Sequence, residues 1–279
     1  VSAPAVSVCV PAYQAERYLA DTVSSVLSQT FADFELVVLD NASTDRTPEI
    51  LAGFCDPRLR VVRNERVLPL ADNWNRAVAE TTGPLVKLVC ADDLLHPRCL
   101  ERQHAVLAGD PALALVCSRR DLINEEARLI SRNRGLRGLV GRVPSPVVIR
   151  KIVRHGGNPL GEPGGALFRR EHFDAVKGFD ARWQFPMDLA LWIRLLEFGD
   201  FYGMRESLAA FRIGRGSVSA RAQRAEYAEQ RYLSERLAAD PEWDVRRRDR
   251  LVGAAKAPGA RLRRQALFLI AKRQAERAE

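Results

Sequence analysis

The chain has 279 residues, 47% of them hydrophobic and 28% charged, with a formal net charge of +8. This composition excludes the disordered, collagen-like and disulfide-scaffold classes, and no apolar run reaches the roughly 18 residues of a membrane-crossing helix. Only five of the 43 basic residues are Lys; an Arg-rich positive balance suits nucleotides, phosphosugars, nucleic acid or an anionic membrane surface, and a GC-rich genome produces the same bias.

The first 120 residues alternate in type. VSVCV at 6–10 is a β-rich run, and 14–29 carries Leu19, Val23, Val26 and Leu27 at helical spacing. FELVVLD at 34–40 reads as a second strand. Thr47-Pro48-Glu49 reads as a helix start with Thr at the N-cap. LRVVRN at 59–64, a helix over 71–80, LVKLVC at 85–90, a helix opened by Pro97 and LALVCS at 113–118 complete the series. Residues 123–145 are polar and rich in Arg and Gly, the character of a lid or binding loop. GEPGGALFRR at 161–170 places a Gly-rich turn before a strand, and 186–200 reads as an amphipathic helix with Asp188 at its start. From about Ser219 the pattern is helical and basic. Five cysteines, Cys9, Cys55, Cys90, Cys99 and Cys117, form no CxxC pair, which implies a reducing compartment, no disulfide framework and no zinc site.

Strand–helix alternation with continuous apolar strands predicts an α/β fold, a mostly parallel sheet with helices on both faces. In such sheets ligands bind beyond the carboxyl ends of the strands, where this sequence gathers its polar residues: Pro11-Ala12-Tyr13, Asp40-Asn41-Ala42-Ser43 and, after KLVCA, Asp92-Asp93. Two adjacent carboxylates closing an apolar strand are read as a helix N-cap, a solvated turn or a site for a hard divalent cation.

These segments carry a family resemblance. VSVCVPAYQAERYLADTVSSVLSQTFADFELVVLDNASTDRTPEI, NWNRAVAETTGPLVKLVCADDLLHP and GGALFRREHFDAVKGFDARWQFPMDLALWIRLLEFGDFYGM together resemble glycosyltransferase family 2, the inverting nucleotide-sugar transferases with the GT-A fold, over about 6–218. The resemblance implies a catalytic domain at 1–218, with a nucleotide-sugar half (1–120) and an acceptor half (121–218), followed by a helical extension at 219–279. It implies that Pro11, Ala12, Tyr13 and Glu16 hold the base and ribose, that Asp40 contacts the base beside Asn41 and Ser43, and that Asn75, with Asn73 close by, matches the Asn before the fourth strand. Asp92 and Asp93 match the DxD-type site for ribose and a divalent metal, Mn²⁺ or Mg²⁺, with Cys90 where an acidic residue is usual, and Asp188 matches the catalytic base. The metal-binding His of the family has no counterpart in FRIGRGSVS, which leaves Arg215, next to Gly214, to contact the diphosphate. Asp188, at a helix start, is expected to be ionised at neutral pH because the helix dipole lowers its pKa.

Trp183 and Glu162 are the residues expected to face the acceptor, a sugar, a lipid-linked sugar or a small molecule; Trp192 is expected in the core. The donor is expected to be a nucleotide-diphosphate sugar, a UDP-sugar first. The sequence predicts a cytoplasmic enzyme without nucleic-acid partners, with 246–273 packed on its own domain, in a homodimer contact or on the inner face of a membrane. The competing readings are an inactive nucleotide-sugar-binding module on the same fold and a basic nucleic-acid-binding protein, for which no recognised module is present.

Overall fold

A computed structural model describes residues 3–214, 225–259 and 262. The first five strands are β1 (Val6–Ala12), β2 (Phe34–Asp40), β3 (Leu59–Arg63), β4 (Leu85–Leu88) and β5 (Leu94–Leu95). They are followed by β6 (Leu113–Ile123), β7 (Leu129–Arg134), β8 (Gly141–Val143), β9 (Ala166–Arg169) and β10 (Asp200–Arg212). The helices are α1 (Leu19–Leu27), α2 (Thr47–Ala52), α3 (Leu70–Ala79), α4 (Cys99–Gly109), α5 (Ser145–His155), α6 (Arg170–Ala175), α7 (Met187–Leu195) and α8 (Ala225–Ala239). A further helical stretch covers 247–259.

All ten strands form one sheet in the order β3-β2-β1-β4-β9-β6-β10-β5, with β7 beside β6 and β8 beside β10. β3, β2, β1 and β4 are parallel, and β10 is parallel to β6. β9 runs antiparallel between β4 and β6. Its reversal keeps β4 and β6 parallel to each other, so β1, β2, β4, β6 and β10 all end at one edge. The turn entering β9, a single 3₁₀ turn at Pro163–Gly165, arrives at that edge too. The chain travels outward from β1 to β3 and returns to β4, which makes the β1–β4 gap the switch point where such sheets bind ligands.

Alternation along the strands separates two cores. Val6, Val8 and Val10 pack with Leu19, Val23 and Val26 of α1 and with Leu100 and Leu107 of α4. Cys9, Val86 and Leu88 face the opposite core with α3, α5 and α7. α7 is buried almost all round, Trp192 included, and not amphipathic as its sequence suggested. α2 begins one residue earlier than the sequence implied. Thr47 lies inside the helix, where its N–H donates to Asp45 Oδ1 and its Oγ1 accepts from Ala15 N, so it ties β1's exit loop to the helix instead of capping it. Residues 123–145 are not a lid: β7 and β8 extend the sheet through backbone pairing with β6 and β10.

On β4 a lysine is fully buried. Lys87 Nζ donates to Gln103 Oε1 (2.7 Å) and to the Ala166 carbonyl (2.9 Å), and Gln103 Nε2 donates to the Gly165 carbonyl (2.7 Å). Burial lowers the Lys87 pKa, and its hydrogen bonds anchor the 163–166 turn to the sheet edge. The helical stretch at 247–259 docks on α5: buried Asp249 pairs with Arg154, and a side chain at Gly253 would collide with the Val153 carbonyl. Most of the remainder of 246–273 lies outside the described residues. No helix among the described residues is long and apolar enough to cross a membrane.

Candidate active site

At the carboxyl ends of β1 and β2 two loops are laced together. Asn41 N donates to the Ala12 carbonyl (2.8 Å), Gln14 N to Ser43 Oγ (3.0 Å), Glu16 N to Asp45 Oδ2 (3.0 Å) and Arg46 N to Glu16 Oε2 (3.1 Å). Pro11 and Ala12 are buried floor, whereas Tyr13 and Glu16 are exposed. Gln14 and Ala42 both hold the left-handed backbone region, at φ 48° and 54°; non-glycine residues in that region carry strain that clusters at functional sites. Buried Asp40 accepts from Ser43 N (2.9 Å) and pairs with Arg63 Nη1 (2.6 Å), so its carboxylate is fixed in place.

Two of the predicted contact residues face inward instead. Asn41 Oδ1 accepts from Asn64 Nδ2 (2.6 Å) and Leu68 N (2.8 Å), and its Nδ2 donates to the Leu68 carbonyl (3.0 Å); Asn64 also reaches Asn73. This buried amide cluster shapes the 64–68 loop. Asn75 donates to the Phe179 carbonyl (2.9 Å) and accepts from Phe179 N (2.7 Å), using both ends of its amide. Gly178 (φ 69°) passes so close that a Cβ there would lie 2.3 Å from Asn75 Oδ1. Asn75 therefore clamps the segment leading to α7.

The acidic residues converge one strand away. Cys90, Asp92 and Asp93 offer ligand atoms that all lie within 4.8 Å of one another. Asp93, 2% exposed, accepts from Arg212 N through Oδ1 (3.0 Å). Burial raises the Asp93 pKa well above the usual carboxylate range, and Asp92 and then Glu162 push it in the same direction. Burial raises Asp92 as well, against the opposing charge of Arg212. The Cys90 thiol is raised well above its ordinary value by burial and then by the charges of Asp93, Asp92, Asp188 and Glu162.

Asp188, on the first turn of α7, accepts from Leu189 N (2.7 Å) and from Asn158 Nδ2 (3.2 Å). Its pKa is raised to about 7, chiefly by burial and further by Glu162, against the Leu189 N–H and Arg120. The helix start alone would have lowered it; loss of water outweighs the dipole here. Glu162 precedes the 3₁₀ turn and forms an ion pair with Arg120 of β6. A Cβ on Gly164 would lie 3.9 Å from Asp93 Oδ2, so this turn packs over the Asp93 carboxylate.

Arg212 is the functional-edge residue that sequence reasoning missed. It is 1% exposed at the end of β10. Its Nε donates to the Asp92 carbonyl (2.8 Å) and its Nη1 to the Glu125 carbonyl (2.8 Å), and its guanidinium lies 4.4 Å from the centre of the Tyr18 ring. The available signal was a charged residue inside the apolar run LAAFRI, the anomaly that had marked Asp92-Asp93. Arg215 lies outside the described residues. Trp183 is 9% exposed and packs in the core cluster, its ring 5.8 Å from Tyr232 of α8, and with Arg182, Glu229 and Arg236 it lines a cavity beside that helix.

The sequence profile of Glycosyl transferase family 2 matches residues 7–177. The chain belongs to that family. It is 31% identical over 215 residues to the putative glycosyltransferase EpsE of Bacillus subtilis (strain 168), covering 74% of this chain and 72% of that protein. Among solved structures, S. aureus TarS 1–349 in complex with UDP-GlcNAc superposes with a TM-score of 0.67 at 17% identity, over 90% of this chain and 71% of that one. The mannosyltransferase PcManGT of Pyrobaculum calidifontis, in complex with GDP-Man and Mn²⁺, gives 0.66 at 20% identity, over 100% and 77%. The GT-A fold and glycosyltransferase activity follow from these likenesses, and the chain is a nucleotide-sugar glycosyltransferase. In this family 2 transferase the matched stretch ends before α7, so Asp188 lies beyond it.

Proposed function

We propose that the transferase moves a sugar from a nucleoside-diphosphate sugar to an acceptor hydroxyl by direct displacement with inversion, Asp188 serving as general base. The observation that carries this reading is that Asn158 ties Asp188 to the Gly161 carbonyl, at the mouth of the same turn whose Gly164 lies over Asp93, so residues far apart in sequence meet at one sheet edge. A UDP-sugar is the preferred donor. A GDP-sugar is the alternative, since TarS holds UDP-GlcNAc and PcManGT holds GDP-Man. The acceptor class is a sugar, a lipid-linked sugar or a small molecule.

Among the described residues, Arg212 is the cation that opposes Asp92 and Asp93, and Arg120 opposes Asp188 and pairs with Glu162. This excess of carboxylate oxygen fits a divalent cation, Mn²⁺ or Mg²⁺, and PcManGT holds Mn²⁺. Asp93 and Asp92 would hold the ion, which when bound supplies charge neutralisation to the leaving diphosphate. The 13–16 and 41–45 loops, fixed by their mutual hydrogen bonds and by Asp40, bind and orient the nucleoside. Asp188 takes the acceptor hydroxyl's proton at its carboxylate. A base with a pKa near 7 is matched to neutral pH, where it is substantially ionised and still a good proton acceptor.

The test is to incubate the protein with UDP- and GDP-sugars of known anomeric configuration, Mn²⁺ and a panel of acceptors, following nucleoside-diphosphate release and the product's anomeric proton by NMR. Inverted product supports the reading; retained configuration overturns it.

The acidic cluster also sets a stability expectation. Asp93 binds its proton more tightly in the fold than in the unfolded chain, so its contribution is present at acid pH and is lost as pH rises above about 4. In metal-free protein, Asp93→Asn is expected to have a higher thermal midpoint than wild type, by a margin that widens from about pH 5 to about pH 8. A margin independent of pH would contradict a raised Asp93 pKa.

A further inference from the structure

Helix α8 follows the family-matched stretch and carries none of its motifs. It nevertheless touches the segment that delivers Asp188. Glu229 Oε2 accepts from both Gln184 N (2.9 Å) and Phe185 N (3.0 Å). Tyr232, one turn along α8, lies against the Trp183 ring. Leu233 and Leu237 enter the same core cluster as Met187, Leu189, Trp192 and Ile193 of α7. The 180–186 loop has some order of its own, since Trp183 N donates to the Asp180 carbonyl and Arg182 pairs with Asp180. Its two N–H groups at 184 and 185 turn outward to a side chain from a helix more than 40 positions later. Asp188 is three residues beyond Phe185.

We propose that Glu229 is a positioning residue for Asp188, which makes α8 a working part of the transferase site. The inference rests on the reading of Asp188 as the base. One carboxylate oxygen accepting two consecutive N–H groups fixes the direction in which the chain enters α7, and Asn75 fixes the same segment upstream through Phe179. Asn158, Leu189 N, Glu162 and Arg120 then set the carboxylate's own surroundings. Without the Glu229 acceptor both N–H groups turn to water, the loop gains freedom, and the base loses its register with the reacting hydroxyl. Misplacement by about 1 Å can cost about 10²-fold in rate. A positioning defect of this kind falls on kcat and spares the nucleotide site, which is built on β1, β2 and β4.

The test compares Glu229→Ala and Glu229→Gln in the full chain, with Asp188→Asn in parallel, measuring steady-state transfer and the nucleotide Kd. Gln keeps a carbonyl oxygen with two lone pairs at the accepting position, while removing the charge and turning the other oxygen into an amide NH2. Glu229→Ala is expected to lower kcat about 10- to 100-fold with Kd for the nucleotide unchanged, and Glu229→Gln to turn over like wild type. An Ala variant as fast as wild type, or a folded Gln variant as slow as the Ala variant, overturns the inference. If Glu229→Ala does not fold, the Gln variant still decides, because an accepting oxygen without charge must suffice. Should Asp188→Asn keep full turnover, the assignment of the base fails instead, and the two failures are told apart.

Discussion

Replacing Asp188 by Asn is expected to lower transfer by about 10²- to 10⁴-fold, the usual share of a general base, while nucleotide binding persists. Asn has no basic oxygen for the acceptor's proton. Its Oδ1 still accepts from Leu189 N, but its amide nitrogen then faces Asn158 Nδ2, whose own carbonyl is committed to Leu160 N and Gly161 N. One donor thus meets another, at a cost of about 1–3 kcal/mol, so the nucleotide Kd must be measured beside turnover to show that the site persists. The pH profile gives a second readout. Burial pushes the Asp188 pKa up to about 7 in the metal-free site, and the rate of the metal-loaded enzyme is expected to fall on the acid side because the protonated acid cannot accept a proton. A cation bound beside it would move this acid limb to lower pH. The Asn variant's residual activity is expected to lack the limb. Unchanged turnover would remove Asp188 from the mechanism.

Replacing Arg212 by Ala is expected to cost about 3–5 kcal/mol of stability, the scale for removing one partner from a buried charged network. Arg212 is 1% exposed and reaches the Asp92, Glu125 and Asn124 carbonyls and the Tyr18 ring. Ala leaves those acceptors without their donor and opens a void beneath the acidic turn. The Arg212 N–H to Asp93 is backbone and survives, so the turn is loosened rather than unmade. For a chain of this size the loss corresponds to roughly 10 °C in thermal midpoint. Lys cannot restore the planar fork that spans separate carbonyls, and Arg212→Lys is expected to recover less than half of the loss. Thermal melts of the three proteins check this. A midpoint within about 2 °C of wild type for the Ala variant, under the same scaling, would mean that Arg212 is dispensable to the edge.

Strands buried on both sides are written as continuous apolar runs, and β1, β2, β4 and β6 were legible for that reason, with the sheet edge they share. β7 was not, because LISRNR is exposed and polar, and backbone pairing with β6 is what makes it a strand. The acidic pair stood out by its position at a strand end, whereas Asp188 at its helix start reads as an N-cap and is singled out only through the family resemblance. The direction of its pKa was not legible, since it depends on burial in the folded chain and on the charge of Glu162, which is distant in sequence. Asn41 and Asn75 stand where ligand-facing residues were expected, yet their partners are Leu68, Asn64 and Phe179. The sequence carries which residues reach the edge, while which way an amide turns is decided by loops packed around it. Arg212 needed knowledge that β10 ends beside Asp92, a pairing across more than 100 residues.

The central claim is that Asp93 and Asp92 hold a divalent cation against a nucleoside diphosphate. Calorimetric titration of UDP and GDP into wild type and Asp93→Asn, each with Mn²⁺ and with EDTA, tests it most directly. The account predicts that one nucleotide binds wild type with Mn²⁺, that EDTA abolishes or sharply weakens the binding, and that Asp93→Asn behaves with Mn²⁺ as wild type does with EDTA. Equal affinity in all four conditions would contradict it.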